Sequence, residues 1–130
     1  MYEFSRAIFR ELRPYLATEA DRPAVLAASE DMVERLAYGS APRRPARELF
    51  RTVRVHVRLE AQLHARCVID RYLAVAESVC RDWRRKGRDA FGAPLPCAAT
   101  TRHGTRCARR PVDGTAYCPS HRHLADALVA

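Results

Sequence analysis

The sequence predicts a mainly α-helical protein. Residues 1–90 are expected to form a three-helix bundle in which one helix is long, and residues 91–130 are expected to form a small module. Apolar side chains recur at helical spacing through the first ninety residues. No glycine or proline lies between Pro45 and Gly87, which favours one uninterrupted long helix. After residue 96 the chain carries three of its five cysteines but almost no large apolar side chains. Burial alone would not fold such a segment.

The first two helices are predicted from apolar spacing and from the position of proline. Apolar residues recur at helical spacing from Phe4 to Tyr15, and Pro14 stops or bends this first segment. A second helix begins near Asp21 and Pro23, where an acidic cap and an early proline suit a first turn. The string GSAPRRP ends it. Its apolar side consists of Val25, Met32, Val33 and Leu36.

The third helix is expected to run from Pro45 to Gly87, a length of about 60 Å at the standard rise per residue. Its main apolar stripe advances in steps of three and four, an 11-residue rhythm that stays on one face of a straight helix. Leu59, Leu63, Ile69 and Leu73 lie away from that stripe, so we expect more than one packing neighbour or a bend near residues 66–70. A homodimer through the helical domain would cover such surplus apolar surface. The stripe consists of Phe50, Val53, Val57, Ala61, His64, Val68, Tyr72, Val75 and Val79.

Composition excludes several classes of protein. No apolar run is long enough to span a bilayer, and the charged N-terminal segment does not resemble a secretory signal. We therefore expect a cytoplasmic protein without membrane contact, in which five cysteines are thiols or metal ligands rather than disulfides. Lys86 is the only lysine. A GC-rich bacterial genome or a selected phosphate-binding surface would each give this excess of arginine, and we favour the genome.

The net charge of +8 favours a polyanionic partner such as nucleic acid. All of the excess comes from residues 45–130, because residues 1–44 hold equal numbers of basic and acidic side chains. Four arginines on the predicted long helix repeat at intervals of four, three and four, which would form a basic ridge for phosphate contacts or a solvated face. These are Arg47, Arg51, Arg54 and Arg58.

The C-terminal module contains a ligand set for a metal. Cys97, Cys107, Cys118 and His121 follow the pattern C-x9-C-x10-C-x2-H. Three thiolates and one imidazole complete the tetrahedral shell of a structural zinc ion and leave no open position for catalysis. Turn residues between the ligands predict a β-hairpin-like path, and the segment PSHRHLADAL predicts a short closing helix. Zinc binding would supply the stability that this piece lacks.

Several alternatives remain open at this stage. His123 could replace His121 as the fourth ligand, and His103 is less suitable because it lies at a predicted turn tip. A disulfide would leave one of the three cysteines unpaired, and the absence of a Cys-x-x-Cys pair disfavours redox chemistry. A second set shares one side of the predicted long helix and could bind a transition metal, although its members also suit packing. This set consists of His56, Glu60, His64 and Cys67.

The spacing of the four ligands resembles the WRC motif of plant growth regulators, a Cys3His zinc element with the same intervals. The likeness extends to Thr100, Arg106, Arg109, Tyr117 and His123, over about 25 residues. Thr105 replaces the motif's tryptophan, Gly104 is shifted by two positions, and Arg122 alone represents the motif's final basic run. The resemblance implies zinc binding through the four ligands and contact of nearby basic residues with DNA. Similar short elements are also familiar from bacterial and phage proteins.

These patterns predict a binding protein rather than an enzyme, because the sequence holds no recognisable catalytic motif. We expect a small bacterial zinc protein that binds nucleic acid as a transcription-associated regulator. An adaptor that docks another protein through its helices, with the zinc module as a rigid knob, is the alternative, and a metal or redox sensor is the third. In the first interpretation the ridge and four arginines of the module contact phosphates. The four are Arg102, Arg106, Arg109 and Arg110.

Overall fold

The computed structural model describes residues 1–127, and the chain divides into two compact units, Met1–Ser78 and Val79–Ala130. The predominance of helix agrees with the sequence prediction. Five α-helices account for most of the described backbone. They are α1 (Tyr2–Leu12), α2 (Arg22–Tyr38), α3 (Pro45–Val53), α4 (Gln62–Arg85) and α5 (His123–Ala127).

The first two helices form where the sequence predicts them. Helix α1 buries one side and leads into a 3₁₀ turn over Arg13–Tyr15, where proline ends the regular α-helix. Helix α2 has a proline in its first turn and ends at Gly39, whose φ of 75° is the left-handed conformation that terminates helices. Helix α2 packs against α1 and α3.

The long helix predicted from Pro45 to Gly87 is wrong, because the chain leaves the α-helical path after Val53. A 3₁₀ turn follows over Arg54–His56, then Val57 is extended with φ −112° and ψ 137°, and a further 3₁₀ turn over Leu59–Ala61 precedes α4. Residues 66–70, where a bend was one of two alternatives, lie inside the uninterrupted helix α4. The N-terminal unit therefore has four helices rather than three, and only loosely resembles the expected bundle.

The break at Val57 lets this segment pair with the loop between α1 and α2. Leu16 and Val57 form an antiparallel bridge. The backbone N–H of Ala17 donates to the carbonyl of His56 at 2.9 Å, and the N–H of Arg58 donates to the carbonyl of Tyr15 at 3.0 Å. These reciprocal bonds satisfy backbone groups that a helix would otherwise have paired internally.

The core of the N-terminal unit is aliphatic. Residues from α1 to α4 contribute, and their side chains are excluded from water, which is the main favourable term in folding. By contrast Leu59 and Leu63 are 81% and 77% exposed, because the break turns them away from the core. The most deeply buried large side chains here are Ile8, Leu12, Val25, Val33, Leu49, Val53, Ile69 and Leu73.

The C-terminal unit is mostly irregular, and the predicted β-hairpin is wrong. The two sides of that segment form one isolated bridge, between Thr100 and Arg106, flanked by backbone hydrogen bonds from Thr101 to Thr105 and from Cys107 to Ala99. The start of the segment also bonds to residues further along the chain. The backbone N–H of Cys97 donates to the carbonyl of Arg109, and the N–H of Ala98 donates to the carbonyl of Ala116. In the described residues the bridge does not extend into a two-stranded ladder.

A 3₁₀ turn over Pro119–His121 and the short helix α5 close the C-terminal unit, as predicted. The predicted closing helix extends to Leu128, which lies outside the described residues. Among the helices that the structure describes, none combines the length and the apolarity needed to cross a bilayer.

Candidate metal centre and basic surfaces

Three loops of the C-terminal unit deliver the predicted ligands to one point. Cys97 precedes a tight turn that contains Gly104, and Cys107 follows this turn. A second turn over residues 112–117 contains Gly114 and leads to Cys118. Both glycines have positive φ, 77° and 80°, which other residues adopt at a cost. His121 then follows one 3₁₀ turn later.

The four ligand atoms lie close enough to share one cation. Each of Cys97, Cys107, Cys118 and His121 offers a ligand atom, and all these atoms lie within 4.8 Å of one another. The Nδ1 atom of His121 is 3.6 Å from the Sγ of Cys97 and 3.3 Å from that of Cys118, and the Sγ atoms of Cys107 and Cys118 are 4.0 Å apart. Tetrahedral zinc with usual bond lengths separates its ligand atoms by about 3.5–3.8 Å. The cluster therefore has the size and donor set of a metal site.

Hydrogen bonds hold the loops in this arrangement. The backbone N–H of Cys118 donates to the Sγ of Cys97 at 3.3 Å, as expected for a thiolate that also binds a metal. The Arg109 guanidinium donates to the hydroxyl of Ser120 at 2.7 Å. This bond joins the segment that follows Cys107 to the turn that contains His121. The three cysteines are buried, and with Ala99 and the partly buried Tyr117 they form the core of this unit.

The pKa values of two of the thiols are shifted in opposite directions, that of Cys97 downwards and that of Cys107 upwards. Burial raises the pKa of Cys97, but hydrogen bonds from the backbone of Cys118 and Ala99 and from His121 outweigh it and lower the pKa to about 6. For Cys107, a backbone hydrogen bond from Arg109 lowers the pKa, but burial and the two neighbouring cysteines prevail and raise it. Crowded thiolates repel one another, and a divalent cation between them would favour all three in the ionised form.

The structure distinguishes the alternatives that the sequence leaves open for this cluster. His123 is exposed, and its ring centroid lies 6.4 Å from that of His121, outside the cluster. His103 is exposed at the turn tip. None of the five cysteines forms a disulfide. His121 is therefore the imidazole that joins the three cysteines.

The second candidate set is not brought together. His56 contacts the Oδ1 of Asp21 through Nδ1 at 2.8 Å. The ring of His64 packs against Tyr15, with centroids 4.8 Å apart. Glu60 and Cys67 are exposed. Among the described residues, these four side chains do not form a metal-sized cluster.

The predicted arginine ridge is interrupted by the break in the helix. Arg47 and Arg51 lie on α3 and Arg54 lies in the following turn, and all three are exposed. Arg58 lies beyond the extended Val57. Its guanidinium donates to the carbonyl of Pro14 at 2.8 Å and lies 3.9 Å from Glu60, so Arg58 joins the two loops rather than continuing the ridge.

The arginines of the C-terminal unit also differ in their surroundings. All four of the predicted residues are exposed. Arg109 is engaged with Ser120, as described above. Within the described part of the chain, Arg102, Arg106 and Arg110 make no salt bridge or side-chain hydrogen bond. Their guanidinium groups are available to a ligand.

Sequence reasoning missed a second set of exposed arginines, on α1 and at the start of the 3₁₀ turn that follows it. Arg6, Arg10 and Arg13 have the same intervals as Arg47, Arg51 and Arg54. The signal that would have revealed this correspondence is a repeat in the sequence. Residues 9–16 read FRELRPYL and residues 50–57 read FRTVRVHV, and aligning these segments places the two sets of arginines at matching positions.

No protein-family model, curated protein or solved structure matches this chain. The resemblance to the WRC motif therefore stays a prediction, supported by the convergence of the four ligands and not by a family match.

Proposed function

We propose that this chain is a non-enzymatic nucleic-acid-binding protein whose C-terminal unit is stabilised by a structural zinc ion. The observation that carries the zinc assignment is the convergence of three thiols and one imidazole within 4.8 Å. Sulfur and imidazole donors select zinc over calcium or magnesium, which prefer oxygen. Since the protein supplies all four ligands, the shell has no open position for a substrate.

Free positive charge supports nucleic acid as the partner. The chain carries a net charge of +8, and many of its exposed arginines have no carboxylate partner in the described residues. Arginine binds phosphate through paired N–H groups, and released counterions favour association. The zinc ion would fix the loops that present Arg102, Arg106 and Arg110.

Two measurements test this proposal. Metal analysis of purified protein should find about one zinc per chain. Binding to mixed-sequence DNA and RNA should weaken steeply and linearly on a logarithmic scale as salt increases. A metal-free protein with an ordered C-terminal unit would contradict the zinc assignment. Absence of binding at low and physiological salt would contradict the nucleic-acid assignment.

A protein-interaction adaptor is the second candidate, because one loop exposes apolar side chains. Val55, Leu59 and Leu63 are 69%, 81% and 77% exposed. They lie in or next to the segment that joins α3 to α4, and exposed apolar groups of this kind mark interaction sites when they are contiguous. A partner recovered from lysate after nuclease treatment, and lost with Leu59→Ser and Leu63→Ser, would favour the adaptor.

A further inference from the structure

Residues 2–38 and residues 45–85 form two halves with the same order of elements. Each half has a short helix, a 3₁₀ turn, a short link that begins with an extended residue, a second 3₁₀ turn and a long helix. The extended residues, Leu16 and Val57, pair with each other through the reciprocal hydrogen bonds described above. Reciprocal antiparallel pairing between two equivalent residues is the arrangement that a local twofold axis would produce.

Buried positions follow the same correspondence. Leu16 and Val57 are 41 positions apart, and the same spacing relates the buried pairs Ile8 with Leu49 and Leu12 with Val53. Between the bridge and the long helix, the second half has one residue fewer than the first. The spacing then becomes 40, which relates the buried residues Val25, Val33 and Leu36 to Ala65, Leu73 and Ala76.

The correspondence extends to the exposed arginines of α1, of α3 and of the 3₁₀ turns that follow them. The spacing of 41 that relates their buried residues also relates Arg6 to Arg47, Arg10 to Arg51 and Arg13 to Arg54. Within each trio, the two helical arginines are four residues apart and share the helix face opposite the buried side, and the third arginine begins the 3₁₀ turn that follows. We call the trio of Arg6, Arg10 and Arg13 the first ladder, and the trio of Arg47, Arg51 and Arg54 the second ladder.

Both ladders are free to bind an anion. In the described residues, none of the six side chains makes a salt bridge or a side-chain hydrogen bond, whereas Arg22, Arg35, Arg66 and Arg71 each pair with a carboxylate. Helix α1 carries two acids, Glu3 in its first turn and Glu11, and Glu11 is bonded to Arg71 and Tyr72.

The surface around the second ladder is concave. Arg47, Arg51 and Arg54 line a cleft of about 480 Å³. Arg47 also lines a second cleft of about 540 Å³, where Arg43, Arg44 and Arg66 are accompanied by two carboxylates, Asp70 and Glu77. Clustered guanidinium groups around a concave surface raise the local potential for phosphate.

We infer that the two ladders together bind the two phosphate backbones of a nucleic-acid duplex, with the local twofold axis of the protein aligned with a twofold axis of the duplex. This inference rests on the proposed nucleic-acid function and specifies its ligand and surface. Symmetry-related basic groups suit a ligand whose backbones are related by the same symmetry, as in dimeric DNA-binding proteins. The contacts are to phosphate and do not depend on base sequence.

Charge-matched variants test the inference. Arg6→Gln with Arg10→Gln disables the first ladder, and Arg47→Gln with Arg51→Gln disables the second. The control is Arg22→Gln with Arg35→Gln, which removes the same charge from residues that are already paired with Glu19 and Asp31. Circular dichroism checks that each variant is folded.

Binding of the zinc-loaded full chain to mixed-sequence duplex DNA, duplex RNA and single strands is then measured over a range of salt. Each ladder variant should lower the slope of log K against log salt by about 1.8, because each lost phosphate contact contributes about 0.9. Duplex affinity should fall about tenfold or more in both, and by clearly less in the control. The wild type should bind one of the duplexes more tightly than single strands.

The outcomes separate this inference from the proposed function. A wild-type chain that binds no nucleic acid contradicts the proposed function itself. If the wild type binds but either ladder variant matches the control, the paired-ladder inference is overturned and the function stands. Single strands bound as tightly as duplexes overturn the assignment of a duplex ligand.

Discussion

His121 and His123 differ in what they can do for the metal centre, although they are two residues apart. The Nδ1 of His121 lies 3.3 Å from the Sγ of Cys118, whereas His123 is exposed outside the cluster. We expect His121→Ala to weaken zinc binding by more than the roughly 10- to 100-fold that loss of an outer-shell partner causes. His123→Ala should leave zinc affinity nearly unchanged. Competition with a chromogenic chelator measures both, and equal losses would contradict the assignment of His121.

Gly87 occupies a position where any side chain meets the backbone. Its φ is 67°, and a Cβ at this position would lie 2.9 Å from the carbonyl oxygen of Thr115. Gly114 has a similar φ of 80°, but a Cβ added there would have no neighbour within 4 Å. Gly114→Ala should therefore cost only the left-handed strain of about 1–2 kcal/mol, and Gly87→Ala should cost more.

Urea unfolding of the zinc-loaded protein tests this pair of glycines. The fluorescence of Trp83, the chain's one tryptophan, reports on the unit that contains both. A smaller loss of stability for Gly87→Ala than for Gly114→Ala would show that Thr115 moves freely away from a new side chain.

Among the elements, the two loops of the N-terminal unit are joined by a charged contact as well as by the backbone bridge. Asp21 accepts hydrogen bonds from the backbone and hydroxyl of Thr18, and its Oδ1 lies 2.8 Å from the Nδ1 of His56. The hydrogen bond with His56, followed by those with Thr18, lowers the pKa of Asp21 below its ordinary value of 3.8. A carboxyl group with a lowered folded pKa stabilises the fold above its unfolded pKa, and this contribution is lost as the pH falls through the folded value.

We therefore expect Asp21→Asn to lower the unfolding midpoint at neutral pH. The difference from the wild type should shrink as the pH falls below about 4, because acid protonates the wild-type carboxyl. Glu19→Gln is the control, since Glu19 is 76% exposed and its pair with Arg22 contributes little. Thermal unfolding at several pH values measures the effect, and a difference that grows on acidification would contradict this sign.

The break between α3 and α4 shows where sequence reasoning about the elements fails. Residues 54–61 contain no glycine or proline, so helix-breaking signals are missing. The period-two alternation of Val53, Val55 and Val57 is a strand signal that competes with the helical stripe. Pairing of Val57 with Leu16 decides the outcome, and this tertiary contact is not visible in local sequence. Helices α1 and α2 were predictable because their ends carry proline and glycine.

The candidate metal site was predictable to a greater degree, because ligand chemistry constrains a sequence more tightly than packing does. The spacing of Cys97, Cys107, Cys118 and His121 identified the cluster that the structure brings together. The β-hairpin was not predictable, since turn residues alone do not fix which segments pair. The bonds from Cys97 to Arg109 and from Ala98 to Ala116 join segments that are far apart in sequence.

At the scale of the whole molecule, the two units are stabilised by different means. The N-terminal unit buries aliphatic side chains from four helices, whereas the core of the C-terminal unit is three cysteines and Ala99, with Tyr117 partly buried against them. Loss of the proposed zinc ion should therefore affect the two units unequally. Amide protection should disappear over residues 97–121 when a strong chelator is added. Helices α1 to α3 should keep their protection.

Hydrogen exchange measured by mass spectrometry, with and without chelator, resolves the two units in one experiment. Far-UV circular dichroism should change little, because most helical residues belong to the N-terminal unit. Cys107→Ser without chelator should reproduce the chelated pattern, while Cys67→Ser, an exposed thiol outside the cluster, should match the untreated wild type. Unchanged protection at residues 97–121 after verified metal removal would show that side-chain packing and hydrogen bonds alone hold that unit. Collapse of both units together would show that their stabilities are coupled.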